Sequence, residues 1–142
     1  LTSSITNVGA GTYTATVTDK NGCTGNGSLL IQEPLAVMGK IISSSNYSGY
    51  GISCYGLSDG SITAGAEGGT GTYSYAWSNG KTTPAINLLK AGDYTVAIAD
   101  KNGCQSPIVN HRITSPGLLS LSVNKKQNIS CYNGNNGYVE LK

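Results

Sequence analysis

From Ile62 to Ala66 apolar residues fall at every second position, and the alternation breaks at Gly68-Gly69-Thr70-Gly71. A period of two is that of a half-buried strand, and clustered glycines mark a turn. The pattern resumes in Tyr73, Tyr75 and Trp77, with Ser74 and Ala76 on the other face, and stops at Ser78-Asn79-Gly80, a turn sequence. Ile86, Leu88 and Leu89 predict a further strand or its corner. Tyr94, Val96 and Ile98 predict another, Asp100-Lys101-Asn102-Gly103 the hairpin loop after it, and Ile108 to Ile113 a closing strand. No segment offers ten residues of helical period with caps. The chain reads as all-β.

The pattern is repetitive. AGTYTATVTDKNGC, from Ala10 to Cys23, returns as AGDYTVAIADKNGC from Ala91 to Cys104, 81 residues later, and ISCYGLSDGSI at Ile52 returns more loosely as ISCYNGNNGYV at Ile129, 77 residues later. Repetition at such a period means copies of one structural unit. With Glu33-Pro34 and Ser115-Pro116 as equivalent ends, residues 1–34 are the C-terminal part of a first repeat, 35–116 a complete repeat, and 117–142 the N-terminal part of a third. The second unit carries five more residues than the third between Pro34 and Cys54, and these are expected in the Ser/Gly/Tyr-rich stretch Ser43 to Gly51, because loops absorb insertions. The spacing Leu89-x-x-Gly92-x-Tyr94, matched by Val8-x-x-Gly11-x-Tyr13, resembles the tyrosine corner of immunoglobulin-like and fibronectin-type sandwiches. The expected fold is therefore a tandem array of seven-stranded, Greek-key, immunoglobulin-like β-sandwiches, with Trp77, Tyr94 and Tyr13 as structural core residues. The absence of a start methionine, and of an apolar leader, makes the chain read as an excerpt of a longer secreted or surface protein.

Composition sharpens this. Charged residues are 11%, glycines number 20, and tyrosine supplies nine of the ten aromatics, a mix that suits short strands and many turns. A formal charge of +2 spread over scattered lysines and arginines gives no electrostatic footprint for nucleic acid, and no apolar run is long enough to insert in a membrane. The adjacent Lys125-Lys126 reads as a solvated edge-strand pair.

Each unit carries one early and one late cysteine without CxxC or clustered histidines, so structural disulfides in an oxidising compartment are expected in preference to zinc. Within this chain Cys54 and Cys104 are the candidate pair, closing a loop of about 50 residues worth roughly 4 kcal/mol. The rivals are cross-links between successive units, and free thiols.

No catalytic constellation emerges. His111 is the one histidine and occupies the position that Leu29 fills in the first unit. No GxSxG, P-loop or HExxH motif occurs. Asp19, Asp59, Asp93 and Asp100 stand beside Gly or Asn in turns, which hairpin geometry explains; a calcium loop needs more oxygen ligands than Asp100 and Asn102 supply. No cofactor or metal is expected. Tyr47, Tyr50 and Tyr55 lie among Ser, Asn and Gly, a composition used by adaptable recognition surfaces, and are candidate surface or glycan contacts. The alternative role is a loop at a domain junction.

Taken together, ISCYGLSDGSI, GGTGTYSYAWSNG and LKAGDYTVAIADKNGC, in that order within one unit, resemble the SprB-type repeat of bacterial gliding-motility surface adhesins. The third unit departs at Asn135-Asn136-Gly137, where the second has Ser58-Asp59-Gly60. The resemblance implies a very large repetitive protein, exported by type IX secretion, held at the outer surface of the cell and moved along it to make it glide. It implies no catalytic residue. The leading expectation is a non-enzymatic repeat module forming an extended stalk or filament. Its partners would be extracellular polysaccharide or a solid surface, and neighbouring repeats of the same chain. The alternatives are a carbohydrate-binding module gripping polysaccharide through exposed tyrosines, and an accessory domain of a secreted hydrolase.

Overall fold

The computed structural model describes residues 4–142. Ten strands and no helix occur among them: β1 (Gly11–Thr18), β2 (Thr24–Ile31), β3 (Met38–Ser44), β4 (Gly60–Glu67), β5 (Tyr73–Trp77), β6 (Ala85–Leu89), β7 (Gly92–Asp100), β8 (Val109–Ile113), β9 (Val123–Gln127) and β10 (Tyr138–Leu141). All pairings are antiparallel. The central six strands form two sheets, β3-β4-β6 and β5-β7-β8, flanked in sequence by the hairpins β1-β2 and β9-β10.

The two central sheets close on one core. Ile62 and Ala64 of β4, Ile86 and Leu89 of β6, Trp77 of β5, Val96 and Ile98 of β7, and Ile113 of β8 are all buried together with Ile52. Each fully buried aliphatic side chain contributes about 1.5–3 kcal/mol, so this cluster is the principal source of stability. Alternation along β7 puts Tyr94, Val96, Ile98 and Asp100 on the inner face. The chain crosses between sheets at β4 to β5, β5 to β6 and β6 to β7. The result is a β-sandwich, with six strands where seven were expected. From Trp77 the chain turns through Gly80, whose amide donates to Trp77 O at 2.9 Å, and reaches β6 at Ala85 through Pro84. That span is too short for a further strand.

The turn between β4 and β5 is fixed by close approach. Gly68 and Gly69 have φ of +77° and +65°, in the left-handed region that glycine tolerates. A Cβ on Gly68 would collide with Ala36 O, and one on Gly69 would come within 2.6 Å of Val37. The Gly69 amide donates to Leu35 O at 2.7 Å, which ties the start of the unit to this turn.

Each flanking hairpin reproduces one strand pair of this sandwich. In β1-β2 Tyr13 pairs with Leu29, as Tyr94 pairs with His111 in β7-β8. In β9-β10 a bulge skips Asn124, and the corresponding bulge in β3-β4 skips Ile42. The Tyr94 hydroxyl donates to Lys90 O at 3.1 Å and the Tyr13 hydroxyl to Gly9 O at 2.9 Å, the same four-residue back-bond in both copies. Before each corner one residue is left-handed: Leu88 at φ 56° and Asn7 at φ 57°. Asparagine accepts this conformation, whereas leucine is strained in it, and Leu88 is 78% exposed.

Two expectations follow for urea unfolding. Leu88→Asn, adopting the residue of the first copy, should raise stability by about 1 kcal/mol through relief of left-handed strain. Tyr94→Phe should lower it by about 1 kcal/mol, the net worth of the lost hydrogen bond.

Candidate functional site

The acidic residues are spent on turns. In the loop after β7, Asp100 Oδ1 accepts the amides of Asn102 and Cys104 at 3.0 and 2.9 Å, and Oδ2 accepts the amide and hydroxyl of Thr70, both at 3.0 Å. Burial pushes the Asp100 pKa up, but these four bonds to the carboxylate more than offset it and hold the group below its ordinary value. Asp19 repeats the local half of the arrangement, accepting the amides of Asn21 and Cys23, both at 2.8 Å. Asp59 accepts the Ser53 amide at 3.2 Å, and hydrogen bonding from Ser53, its hydroxyl foremost, lowers the Asp59 pKa. In the third unit Asn136 accepts the Ser130 amide at 3.0 Å, so this turn needs a side-chain oxygen and not a charge. Among the described residues no group of three or more His, Cys, Asp or Glu side chains is arranged to hold a metal ion.

The expected Cys54–Cys104 bridge is not formed, and all four cysteines are free and exposed. Geometry gives the reason. Cys104 follows the Asp100 end of β7 and shares that end with Thr70 of the β4–β5 turn. Cys54 follows Ile52, whose amide donates to Thr114 O beyond β8, and the register of β7 with β8 puts Ile113 beside Gly92. The two cysteines therefore lie at opposite ends of β7. Nine residues of strand span roughly 30 Å, far beyond the ~7 Å Cα separation a disulfide tolerates.

Of the other singled-out residues, Trp77 is 4% exposed and its indole NH donates to Thr83 O at 2.9 Å. Tyr94 and Tyr13 are half-buried at their corners. Lys125 and Lys126 are exposed on β9. No helix among the described residues is long and apolar enough to cross a membrane.

The tyrosine-rich stretch has a definite shape. Register equates Ser45 with Gln127, so the five extra residues of the middle unit fall between Asn46 and Gly51. They fold back as a miniature hairpin. Tyr47 and Tyr50 exchange amide–carbonyl bonds of 2.7 and 3.1 Å, Ser48 and Gly49 between them have φ of 55° and 94°, and Asn46 Oδ1 accepts the Gly49 amide at 2.7 Å. Positive φ at both central residues matches the turn to the twist of the strands it joins. Gly51 then docks on the end of β8: its amide donates to Thr114 O at 3.0 Å, and a Cβ there would come within 2.8 Å of Ile113. Tyr47 and Tyr50 remain 41% and 43% exposed. Tyr55, 61% exposed, stands on the neighbouring Ser53–Asp59 turn, which the Tyr47 hydroxyl reaches through Asp59 O at 3.4 Å.

Two concavities result. One, of about 160 Å³, lies between the miniature hairpin and β8 and is lined by Ser44, Asn46, Tyr50, His111 and Arg112 among others. No aromatic or charge pattern in the sequence pointed to His111 and Arg112 as its far wall; the one available signal was that the first unit has Leu29 and Leu30 at the register-equivalent positions. The other, about 750 Å³, is an open groove on the β1-β2 hairpin lined by Ile5, Tyr13, Ala15, Val17 and Leu29. Although larger, it is the equivalent of the inner sheet face of the middle unit, where Val96 and Ile98 are wholly buried.

With this geometry in hand, comparison with known families gives one result: the SprB repeat profile matches residues 52–82. The match runs from the turn that holds Tyr55 and Asp59, through β4 and β5, to the turn after Trp77, so the middle unit contains a SprB-type repeat. Neither a curated protein nor a solved structure matches the chain.

Two substitutions separate the roles of the turn carboxylates. Asp59→Asn should lower the urea midpoint at pH 7 less than Asp100→Asn does, since Asn136 makes the same bond to the Ser130 amide. For Asp100 the folded pKa is depressed, so its stabilisation is fully present above the ordinary carboxylate value, near pH 4, and is lost as pH falls below it. A series of urea midpoints from pH 7 to pH 2 should show this loss in the wild type and a flatter dependence, from a lower starting stability, in Asp100→Asn.

Proposed function

We propose that this chain is a non-enzymatic segment of a large bacterial cell-surface adhesin, in which consecutive sandwiches form an extracellular stalk that carries adhesive surface for attachment and gliding. The observation that carries the reading is the SprB repeat match at residues 52–82 of the middle unit, set in a chain whose flanking hairpins reproduce the β7-β8 and β3-β4 pairs of that unit. Physically such a module is quasi-one-dimensional: each unit closes its own core, and contacts are with sequence neighbours. Pro34 and Pro116 at the joints restrict the chain between units.

A carbohydrate-binding role for the same module is favoured by one specific feature, the exposed tyrosines of the Asn46–Gly51 hairpin. Tyrosine faces offer rigid, half-apolar area at small entropic cost. The two readings share a location outside the cell and differ in whether the repeat itself grips.

The test is adhesion of the 142-residue chain to a panel of polysaccharides and to glass. Tyr47→Ala/Tyr50→Ala/Tyr55→Ala should lower adhesion by about tenfold or more, the scale of losing aromatic hot spots, with little change in urea midpoint because the three rings lie outside the buried cluster. Equal adhesion by the triple variant would leave the unit as a stalk whose grip is elsewhere.

A further inference from the structure

We propose that the crevice between the Asn46–Gly51 hairpin and β8 is a subsite for a carboxylated sugar, a uronate unit of an acidic polysaccharide. The inference deepens the adhesive reading by naming a ligand class, and it rests on that reading only for where the ligand comes from.

The first argument is where the copies disagree. In tyrosine corners, Asp turns, bulges and cross-strand register the chain's units reproduce one another. Among the places where the middle unit departs from them are the five-residue insertion, absent from the third unit, and His111-Arg112, where the first unit has Leu29-Leu30. These departures lie some 60 residues apart in sequence and form opposite walls of one crevice.

The second argument is what the walls present. The Ser45 hydroxyl is engaged with Gly51 O at 2.6 Å and the Ser61 amide at 2.9 Å, and Thr114 Oγ1 accepts the Gly51 amide at 3.2 Å. By contrast, the Tyr50 hydroxyl, Asn46 Nδ2, the Ser44 hydroxyl and the His111 ring make no hydrogen bond to the described residues, and the Arg112 guanidinium has only Asp93, at 3.7 Å and with both side chains over 70% exposed. No acidic side chain lines the crevice. A cluster of free donors with one permanent cation selects an acceptor-rich anion. The planar guanidinium fork fits a carboxylate in two parallel bonds, and the Tyr50 ring offers an amphipathic face to the sugar beside it.

Size limits the claim to a single residue. At about 160 Å³ the crevice takes one sugar ring and no more, so one subsite binds weakly. Repetition along a stalk on a polymer that repeats the same unit then raises the avidity without new contacts.

Calorimetric titration of the 142-residue chain with trigalacturonate, with the neutral galactose trisaccharide of the same linkage, and with inorganic phosphate tests this. The variants are His111→Leu/Arg112→Leu, which installs the residues the first copy carries on the same strand, and Arg112→Lys. Trigalacturonate should bind saturably, with the neutral trisaccharide and the double variant each weaker by about tenfold or more and Arg112→Lys in between. Four results would overturn the proposal: equal binding of the neutral sugar, equal binding by the double variant, equal affinity for phosphate, or no binding of trigalacturonate at millimolar concentration. Adhesion of the double variant to surfaces, measured alongside, separates failure of this subsite from failure of the adhesive reading, which survives if adhesion persists.

Discussion

A sheet with one apolar face must be covered by another sheet, and the organisation of this chain follows from that. The inner face of β7-β8 carries Tyr94, Val96, Ile98 and Ile113, and the facing sheet supplies Ile62, Ala64, Ile86 and Leu89. Where both sheets are present the interior is dry: Ile62, Val96 and Ile98 are 0% exposed. On the β1-β2 hairpin, with the same register and the same alternation, Val17 is 70% exposed and Leu29 68%. The two hairpins share Tyr13 with Tyr94 and Ile31 with Ile113 and keep an apolar residue at Val17 and Ile98. Over β7-β8 an opposing sheet closes the interior; over β1-β2 none lies among the described residues.

Local devices behave differently from the core, and the difference is instructive. The tyrosine corner, the Asp-capped DKNGC loop and the Ser53–Asp59 turn each join residues no more than six apart. They recur at Tyr13, Asp19 and Asn136, in hairpins over which no second sheet lies among the described residues. Short-range hydrogen bonds close small loops at small entropic cost, so sequence alone suffices to set them. The chain contains its own substitution experiments in consequence. Asn133 at φ 58° stands where Gly56 has φ 77°, and Asn136 stands where the middle unit has Asp59; both exchanges keep the geometry and show which property each position requires.

The same comparison separates the repeated scaffold from the places where the copies differ. A framework repeated to the level of individual bulges is free to vary where its geometry makes no demand, and loops at the ends of a sandwich are such places. The miniature Tyr47–Tyr50 hairpin and the His111-Arg112 pair sit at one such end, on rigid strands and stitched down through Gly51 and Thr114. Cysteine usage follows the opposite logic. Cys54 and Cys104 recur once per unit, yet β7 holds them a strand length apart, so their regularity does not reflect a bridge between these two.

The sequence by itself determined the all-β character, the strand positions from Ile62 to Ile113, the repeat, the tyrosine corners and the turn residues, because each depends on side-chain period or on bonds between near neighbours. It also placed the insertion near Tyr47 and Tyr50. Only the tertiary structure decided the sheet to which each strand belongs, and hence that six strands suffice and that Cys54 and Cys104 cannot meet. It alone brought Asn46 and Tyr50 against His111 and Arg112, since pairing across some 60 residues is set by how two sheets close over a shared core, and no periodicity along the chain records that closure.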